Sequence, residues 1–345
     1  MFKRALSPSR YCRCYAVPRL KSQPHDYWPG DCCRWRCGRD RMNNDNWIAV
    51  DWGTSQLRVW KMSAQGDILE HRRSEKGMNS LNSDQFESVL IALTQNWFND
   101  HRITQILACG MLGSRQGWVE AGYLTTPSAP KGSYTQAPVS DARIKVAILP
   151  GIKQLSPADV MRGEETQIAG LLVNNKHFSG VVCLPGTHSK WANVVDGEVL
   201  AFQTFMTGEL YSLLCKHSVL RHSLDHSTWD AAAFEVAVME SMQHPQSVTA
   251  KLFSLRAQSL VGELAGDTAN SRLSGLLIGL EIANCQSYLT ENPIHTNKVV
   301  IIGESVLSQH YSDALHLMSI ATQQESSETM TLRGLTLAYQ ELLAV

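Results

Sequence analysis

The sequence lacks any run of about 18 apolar residues, which excludes a transmembrane helix. It also lacks an excess of one charge sign, because the formal net charge is −1. Ten of the 31 Lys and Arg but three of the 32 Asp and Glu fall in residues 1–41, so the rest of the chain holds 21 basic and 29 acidic residues. A mildly acidic body argues against a nucleic-acid partner held by a basic surface.

Paired cysteines at zinc-finger spacing are absent as well. Five of the nine cysteines lie in residues 1–41, and the other four, Cys109, Cys183, Cys215 and Cys285, stand singly in apolar surroundings. Isolated thiols of this kind are typical of a reducing compartment, where a buried cysteine behaves as a small hydrophobic residue. The sequence therefore predicts a cytoplasmic protein without structural disulfides.

Residues 1–41 show neither a helical nor a strand period and are rich in Arg, Pro, Cys and aromatic residues. A metal-binding segment and a transit peptide are both conceivable, but neither has its full signature. The segment beginning at Met42 resembles a natural start directly ahead of a buried strand. We therefore expect residues 1–45 to be a disordered, dispensable extension.

Two similar α/β patterns follow one another in the remaining chain. A strand over 47–51, a turn and two further strands precede a helix and two strands, and residues 157–173 are predicted to be helical. A comparable order begins again at residue 180. The repeat predicts an N-terminal lobe over 46–175 and a C-terminal lobe over 176–345, which face each other across a cleft where a ligand is expected to bind.

The first strand ends in a turn whose residue types suit phosphate. Asp51 is followed by Gly53, Thr54 and Ser55, and Arg58 comes three residues later. Glycine permits close approach of a phosphate to backbone N–H groups, and the two hydroxyls add donors. Asp51 is placed to hold Mg²⁺, usually through water. An ordinary hairpin with an Asp-capped turn would look the same.

A second turn of the same composition opens the second repeat. Gly186, Thr187, His188, Ser189 and Lys190 lie between two predicted strands. Two such turns, one at the start of each repeat, are able to grip a polyphosphate from both sides, which suits phosphoryl transfer. Lys190 fits either a phosphate contact or a solvated turn, and His188 fits a structural role better than a catalytic one.

This combination resembles the sugar-kinase, actin and Hsp70 superfamily, whose two phosphate-binding elements are such hairpins. More narrowly, the segments VDWGTSQLRVW, MRGEETQIAGLL and LPGTHSKW resemble the 2-dehydro-3-deoxygalactonokinase family over nearly all of residues 46–345. The resemblance implies two ribonuclease-H-like lobes, with substrate and phosphate binding in the N-terminal lobe over 46–175 and ATP binding in the C-terminal lobe over 176–345. It also implies ATP and Mg²⁺ as cofactors and a superfamily adenosine element ending at Gly303. It implies phosphorylation of the 6-hydroxyl of 2-dehydro-3-deoxy-D-galactonate.

A primary hydroxyl needs a carboxylate to accept its proton. Glu164 and Glu165 stand where the superfamily's linking helix carries its catalytic carboxylate, and adjacent helical residues point about 100° apart. The similar pattern in exopolyphosphatase-type relatives favours Glu165. Asp51 is an alternative base, although Mg²⁺ binding suits it better. A pair of acids stabilising the helix N-terminus would explain the same residues.

The sugar acid would bring a carboxylate of its own. Arg115, in a Gly-flanked loop, is the first candidate to bind it in a two-pronged way, and Arg162 is the second. Trp118 is expected to form a wall of the pocket, and Glu120 is expected to accept hydrogen bonds from the sugar hydroxyls. Asn79 is expected to add polar contacts. All of these residue types also occur in ordinary loops.

Other functions are compatible with the same residues. A non-catalytic ATP-binding regulator would need no acid at the linking helix, and an ATPase of the superfamily would use water in place of the sugar hydroxyl. A kinase for a different sugar acid would differ in the loop over 110–123. Homodimers are common among such kinases, and a homodimer is a further expectation.

Overall fold

The computed structural model describes residues 46–98, 101–262, 264–285 and 298–344. All of them belong to one unit of the chain, Asn43–Val345. The predicted extension over 1–45 lies outside the described residues, which begin at Asn46. No helix in the described part is long and apolar enough to span a membrane.

The described residues form fourteen strands and eight α-helices. The strands are β1 Trp47–Trp52, β2 Leu57–Met62, β3 Ile68–Ser74, β4 Thr104–Gly110, β5 Tyr123–Thr125, β6 Thr135–Gln136, β7 Ile144–Ile148, β8 Gly151–Leu155, β9 Ala158–Met161, β10 Gly180–Leu184, β11 Ser189–Val195, β12 Glu198–Phe205, β13 Lys298–Gly303 and β14 Ala321–Ser326. The helices are α1 Phe86–Thr94, α2 Glu164–Leu172, α3 Thr207–His217, α4 Ala231–Gln243, α5 Val248–Val261, α6 Gly266–Asn284, α7 Ser305–His316 and α8 Ser327–Ala344.

Two large sheets share one strand pattern. The first has the order β3-β2-β1-β4-β7-β6 and the second the order β12-β11-β10-β13-β14. In each sheet three antiparallel strands form one side, and the strand that opens the repeat pairs in parallel with the next one, β1 with β4 and β10 with β13. This arrangement agrees with the repeat seen in the sequence and confirms the predicted α/β class. The lobe boundaries and the ribonuclease-H-like description stay predictions.

Both faces of each large sheet are covered. One face of the first sheet packs on α1 through a buried cluster that includes Val50, Phe86 and Ile106, and the other packs on α8 through Leu335 and Tyr339. The second sheet packs on α2 on one face and on α4, α6 and α7 on the other. Burial on both sides explains why β1 and β10 are almost wholly apolar.

The predicted helix over 157–173 is wrong in its first half. Residues 158–161 form β9, which pairs with β8 in a small third sheet, and α2 begins only at Glu164. Gly163 has a φ of 106°, which ends the strand and allows the helix to start in a new direction. This break matters because it places the first turn of α2 beside both phosphate-type turns.

Helix α2 is fixed by a close crossing with α8. A Cβ on Gly170 would lie 1.9 Å from the Met330 carbonyl oxygen, and a Cβ on Gly334 would lie 2.0 Å from that of Thr166. The helices approach this closely only because each has a glycine at the crossing. The start of α2 is therefore held firmly relative to both sheets.

Candidate active site

The first predicted turn lies at the end of β1. The Gly53 N–H donates to Gln56 O at 2.9 Å, which closes the turn. The N–H groups of Met78 and Asn79 donate to the carbonyls of Gly53 and Thr54, both at 3.0 Å. The segment after β3 thus supports the turn from behind through its backbone.

The second turn lies at the end of β10 and packs against the start of α3. The Glu209 N–H donates to Thr187 O at 2.9 Å, and a Cβ on Gly208 would lie 2.3 Å from Gly186 O. Space beside Gly186 itself is open, because a Cβ there would meet nothing within 4 Å. The backbone of this turn is therefore accessible to a ligand.

Both turns border a single cleft of about 610 Å³. Its lining also includes the start of α2 and the end of β13. Most of the residues predicted for the site meet here, namely Asp51, Gly53, Thr54, Arg58, Arg162, Glu164, Gly186, Thr187, His188, Lys190 and Gly303. Segments more than a hundred residues apart in sequence thus converge on one crevice.

Other predicted residues lie outside this lining. Ser55 and Asn79 are exposed, whereas Ser189 is fully buried, with its hydroxyl 2.9 Å from that of Tyr311. Arg115 and Glu120 are exposed, with 3.8 Å between Arg115 Nε and Glu120 Oε2.

Trp118, also outside the lining, packs into the core against Phe86, with 6.1 Å between ring centroids. The loop over 110–123 therefore presents Met111 and Tyr123 to the cleft in place of the three residues predicted from it.

Asp51 and Arg58 form a close ion pair at the mouth of the first turn, with Oδ2 accepting from Nη2. The two residues face each other across the β1–β2 ladder. Arg58 Nη1 also lies 3.7 Å from Glu304 Oε1, at the end of β13. One guanidinium thus connects carboxylates from both large sheets.

The two glutamates at the start of α2 face different cavities. Glu164 borders the cleft, whereas Glu165 is 4% exposed and borders a separate cavity of about 620 Å³ between α2, α8 and the loop over 130–134. Glu165 accepts a hydrogen bond from the Gly163 N–H at 2.7 Å. Burial, together with the nearby charge of Glu164, raises the pKa of Glu165 to about 8.

Arg162 lines the cleft, and its guanidinium is buried with only part of its hydrogen-bonding capacity used. It is 8% exposed, its Nη2 donates to Ala121 O at 2.7 Å, and its guanidinium lies 4.2 Å from the centre of the Tyr123 ring. Its Nε and Nη1 are buried without a hydrogen-bond partner in the described chain. Unsatisfied buried donors are costly, so an anion reaching them would be bound favourably.

Comparison with known proteins decides the family. A family model described as 2-keto-3-deoxy-galactonokinase matches residues 51–338, from the first turn to the last helix. The chain belongs to the 2-keto-3-deoxy-galactonokinase family. This confirms the resemblance stated from the sequence and the predicted enzyme class, a carbohydrate kinase that uses ATP.

Relatives of this family align over most of their length. The Rhizobium meliloti (strain 1021) protein named Probable 2-dehydro-3-deoxygalactonokinase DgoK1 is 37% identical over 300 residues, covering 85% of this chain and 96% of the relative. The 2-dehydro-3-deoxygalactonokinase of Escherichia coli (strain K12) is 32% identical over 84% of this chain and 96% of its own. A crystal structure described as a 2-dehydro-3-deoxygalactonokinase protein from Sinorhizobium meliloti matches with a TM-score of 0.79 at 36% identity, covering 87% of this chain and 97% of that one.

Several cleft residues of this family member were missed in the sequence. Glu304 directly follows Gly303, and its position after a buried strand is the signal that could have found it. Asp159 lies on β9 and accepts hydrogen bonds from the Thr204 N–H and hydroxyl, both at 2.7 Å. Because the segment holding Asp159 was predicted as a helix, its place in the cleft could not be foreseen.

A neighbouring cavity of about 470 Å³ adjoins the cleft and shares Gly186, Thr187 and Glu304 with it. Its walls come from α3, α6 and α7 and are largely apolar, with Trp229 stacked on His310 at 3.9 Å between ring centroids. The second turn therefore stands between a polar cleft and an apolar cavity.

Proposed function

We propose that the protein transfers the γ-phosphate of ATP to the 6-hydroxyl of 2-dehydro-3-deoxy-D-galactonate, giving 2-dehydro-3-deoxy-6-phospho-D-galactonate for galactonate breakdown. The observation that carries the proposal is the convergence of two glycine-and-hydroxyl turns on one cleft bordered by Asp51, Glu164 and Lys190. Membership of the family and the names of the relatives support the same reaction.

The phosphates are proposed to lie between the two turns. Backbone N–H groups near Gly53 and Gly186 would donate to phosphate oxygens, and the hydroxyls of Thr54 and Thr187 would add donors. Lys190, 5% exposed at the cleft wall, would neutralise the developing charge on the transferred group. Positioning and charge neutralisation are most of what phosphoryl transfer requires.

Asp51 is the residue proposed to hold Mg²⁺. The described residues contain no cluster of three metal-ligating side chains, so the chain alone does not build a closed cage. A single carboxylate beside a phosphate site suits Mg²⁺, which usually keeps several waters and binds nucleotide oxygens. Mg²⁺ held by Asp51 would supply positive charge to offset that of the phosphates. Arg58 orients Asp51 for this role.

Glu164 is proposed as the proton acceptor, because it borders the cleft whereas Glu165 borders the cavity behind it. Its Oε2 accepts a hydrogen bond from the Arg162 N–H at 3.0 Å, which fixes the carboxylate. Its Oε1 lies 3.0 Å from Lys190 Nζ. A phosphate competing for Lys190 would release Oε1 to take the proton of the sugar hydroxyl.

The adenosine of ATP and the carboxylate of the sugar acid are proposed to bind in different places. The apolar cavity of about 470 Å³ beyond the second turn is proposed to hold the adenosine of ATP. The carboxylate of the sugar acid is proposed to bind Arg162, whose Nε and Nη1 lack partners. Both atoms are buried in this structure, so the acid reaches them only when neighbouring groups shift.

The reaction is proposed to take place in the cytoplasm, in keeping with the free thiols of Cys109, Cys183, Cys215 and Cys285. A homodimer stays a prediction that sedimentation would check.

The proposed reaction is tested by a coupled ADP-release assay over a panel of aldonic and 2-keto-3-deoxy acids. We expect the highest kcat/KM with 2-dehydro-3-deoxy-D-galactonate. A clear preference for another acid would make the protein a different sugar-acid kinase, and ADP release without any acid would make it an ATPase. Nucleotide binding without turnover on any acid would favour a regulator.

A further inference from the structure

Helix α6 carries a carboxylate inside an otherwise apolar stretch. Glu281 is 2% exposed, and its Oε1 accepts a hydrogen bond from Trp191 Nε1 at 2.7 Å. Its Oε2 accepts from the Tyr311 hydroxyl at 2.8 Å and from the Thr207 hydroxyl. An indole N–H can only donate, so Glu281 must present an acceptor at this position. A buried acid with three donors is a built feature of the fold, since burying it alone would be very unfavourable.

The three donors come from three elements that surround the second turn. Trp191 lies on β11, which leaves the turn, and Tyr311 lies on α7. The Tyr311 hydroxyl is also 2.9 Å from that of Ser189, the first residue after the turn. A single side chain on α6 therefore connects the strand after the turn with a helix that flanks it.

The third donor connects Glu281 to the turn from the opposite side. Thr207 is the first residue of α3, and the next residue, Gly208, packs directly on Gly186. The Glu209 N–H then donates to Thr187 O at 2.9 Å. A displacement of Thr207 would therefore also shift Gly208 and Glu209, the two residues that contact the backbone of the turn.

The same partners border the apolar cavity beside the cleft. Thr207 and Tyr311 line that cavity together with Gly186 and Thr187. A carboxylate needed only for core packing could be replaced by an apolar side chain, often with a gain in stability. This one instead orients polar groups that all lie around one turn and one cavity.

We propose that Glu281 is a positioning residue for the nucleotide, holding the second turn and the cavity wall in their binding geometry through Trp191, Thr207 and Tyr311. The proposal rests on the proposed function, because it takes the turn and the cavity to be the ATP site. Glu281 itself touches neither ATP nor the sugar acid in this account.

The test is Glu281→Gln, which keeps the volume and one acceptor but replaces the acceptor of Thr207 and Tyr311 by an amide donor. Binding of Mg²⁺ with the non-hydrolysable analogue AMPPNP is measured by calorimetry, and KM is measured for ATP and for the sugar acid. We expect Kd for the analogue and KM for ATP to rise about tenfold, with KM for the acid changing less than about twofold. Glu240→Gln is the matched control, since Glu240 lies on α4, pairs with Lys251 of α5 and Arg272 of α6, and borders neither cavity.

Unchanged nucleotide binding in folded Glu281→Gln, or equal rises in both KM values, overturns the positioning role while leaving the kinase assignment intact. Failure of the wild-type protein to bind the analogue overturns both proposals. If Glu281→Gln does not fold, Tyr311→Phe replaces it, because this change removes only the hydroxyl shared by Glu281 and Ser189. It is expected to raise Kd for the analogue about threefold, and an unchanged Kd overturns the proposal.

Discussion

Lys190 Nζ lies 3.0 Å from Glu164 Oε1, although Lys190 belongs to the second large sheet and Glu164 opens helix α2. Lys190 is 5% exposed, so removal of its partner would leave a largely buried charge uncompensated. In the proposed mechanism this pair supplies both a cation for the phosphate and a base for the hydroxyl. When ATP binds, a phosphate would replace Glu164 as the partner of Lys190, so the charge of the ammonium group would stay compensated.

Glu164→Gln should lower kcat by about 10²-fold or more, because the amide cannot accept the proton of the attacking hydroxyl. Glu165→Gln is the matched comparison, one residue further along the same helix but bordering the other cavity. It should lower kcat by less than about tenfold. Turnover is measured with ATP and the sugar acid both saturating. A larger loss in Glu165→Gln would return the base to Glu165, the residue favoured by the sequence pattern.

Glu165 should make folding stability depend on pH. Its pKa in the folded protein is raised from 4.5 to about 8, chiefly by burial, so the folded state retains a proton that the unfolded state has lost between these values. The contribution is fully present below pH 4.5 and is lost as pH rises through about 8. Glu165→Gln removes this dependence, so the Tm of the variant minus that of the wild type should increase from pH 5 to pH 8.

Calorimetric Tm values in matched buffers check this expectation. Glu164→Gln provides a second comparison, because the charge of Glu164 contributes to the raised pKa of Glu165. In Glu164→Gln the pKa of Glu165 should be raised less. The pH range over which stability declines should therefore be narrower in this variant than in the wild type. A Tm difference between Glu165→Gln and wild type that is constant with pH would contradict a neutral Glu165.

Part of the fold and of the site could be predicted from the sequence for a definite physical reason. The turns at Gly53 and Gly186 are local features, each following a buried apolar strand, so composition and period locate them. The choice between Glu164 and Glu165 could not be made in this way. It depends on the direction in which α2 leaves Gly163, and that direction is set by the tertiary crossing of α2 with α8.

The substrate-side residues show the same limit. Trp118 and Arg115 stand three residues apart in one Gly-rich loop, yet one packs into the core and the other is exposed. Local composition gives no direction to side chains in such a loop. Glu281 had a visible signal, a lone acid within the apolar stretch over 276–282, but its three partners come from distant segments.

Arg162→Lys should raise KM for the sugar acid about tenfold or more and change KM for ATP much less. Lysine lacks the planar fork that can bind a carboxylate with two nitrogens, and it would also lose the stacking on Tyr123. Arg115→Lys is the control, since that side chain is 81% exposed and should change neither KM by more than about twofold. Steady-state kinetics with each substrate varied in turn decides the matter, and equal rises for both substrates would remove the carboxylate role.

Gly110→Ala should damage the site through Asp51. Gly110 has a φ of 98°, and a Cβ there would lie 2.6 Å from Trp52 O and 3.3 Å from Asp51 Oδ1. Backbone strain alone should lower the free energy of unfolding by about 1–3 kcal/mol. Because Trp52 and Gly110 face each other across β1 and β4, relief of the clash must shift the strand end that carries Asp51, so kcat should fall as well.

Gly122→Ala is the matched control for Gly110→Ala in the same loop. A Cβ on Gly122 meets nothing within 4 Å, and its φ lies outside the left-handed region. Its unfolding free energy should stay within about 0.5 kcal/mol of wild type, with kcat unchanged. Urea unfolding and steady-state turnover are measured on both variants. Loss of stability in Gly110→Ala without loss of kcat would show that Asp51 keeps its place, and would separate the strain at Gly110 from the chemistry of the cleft.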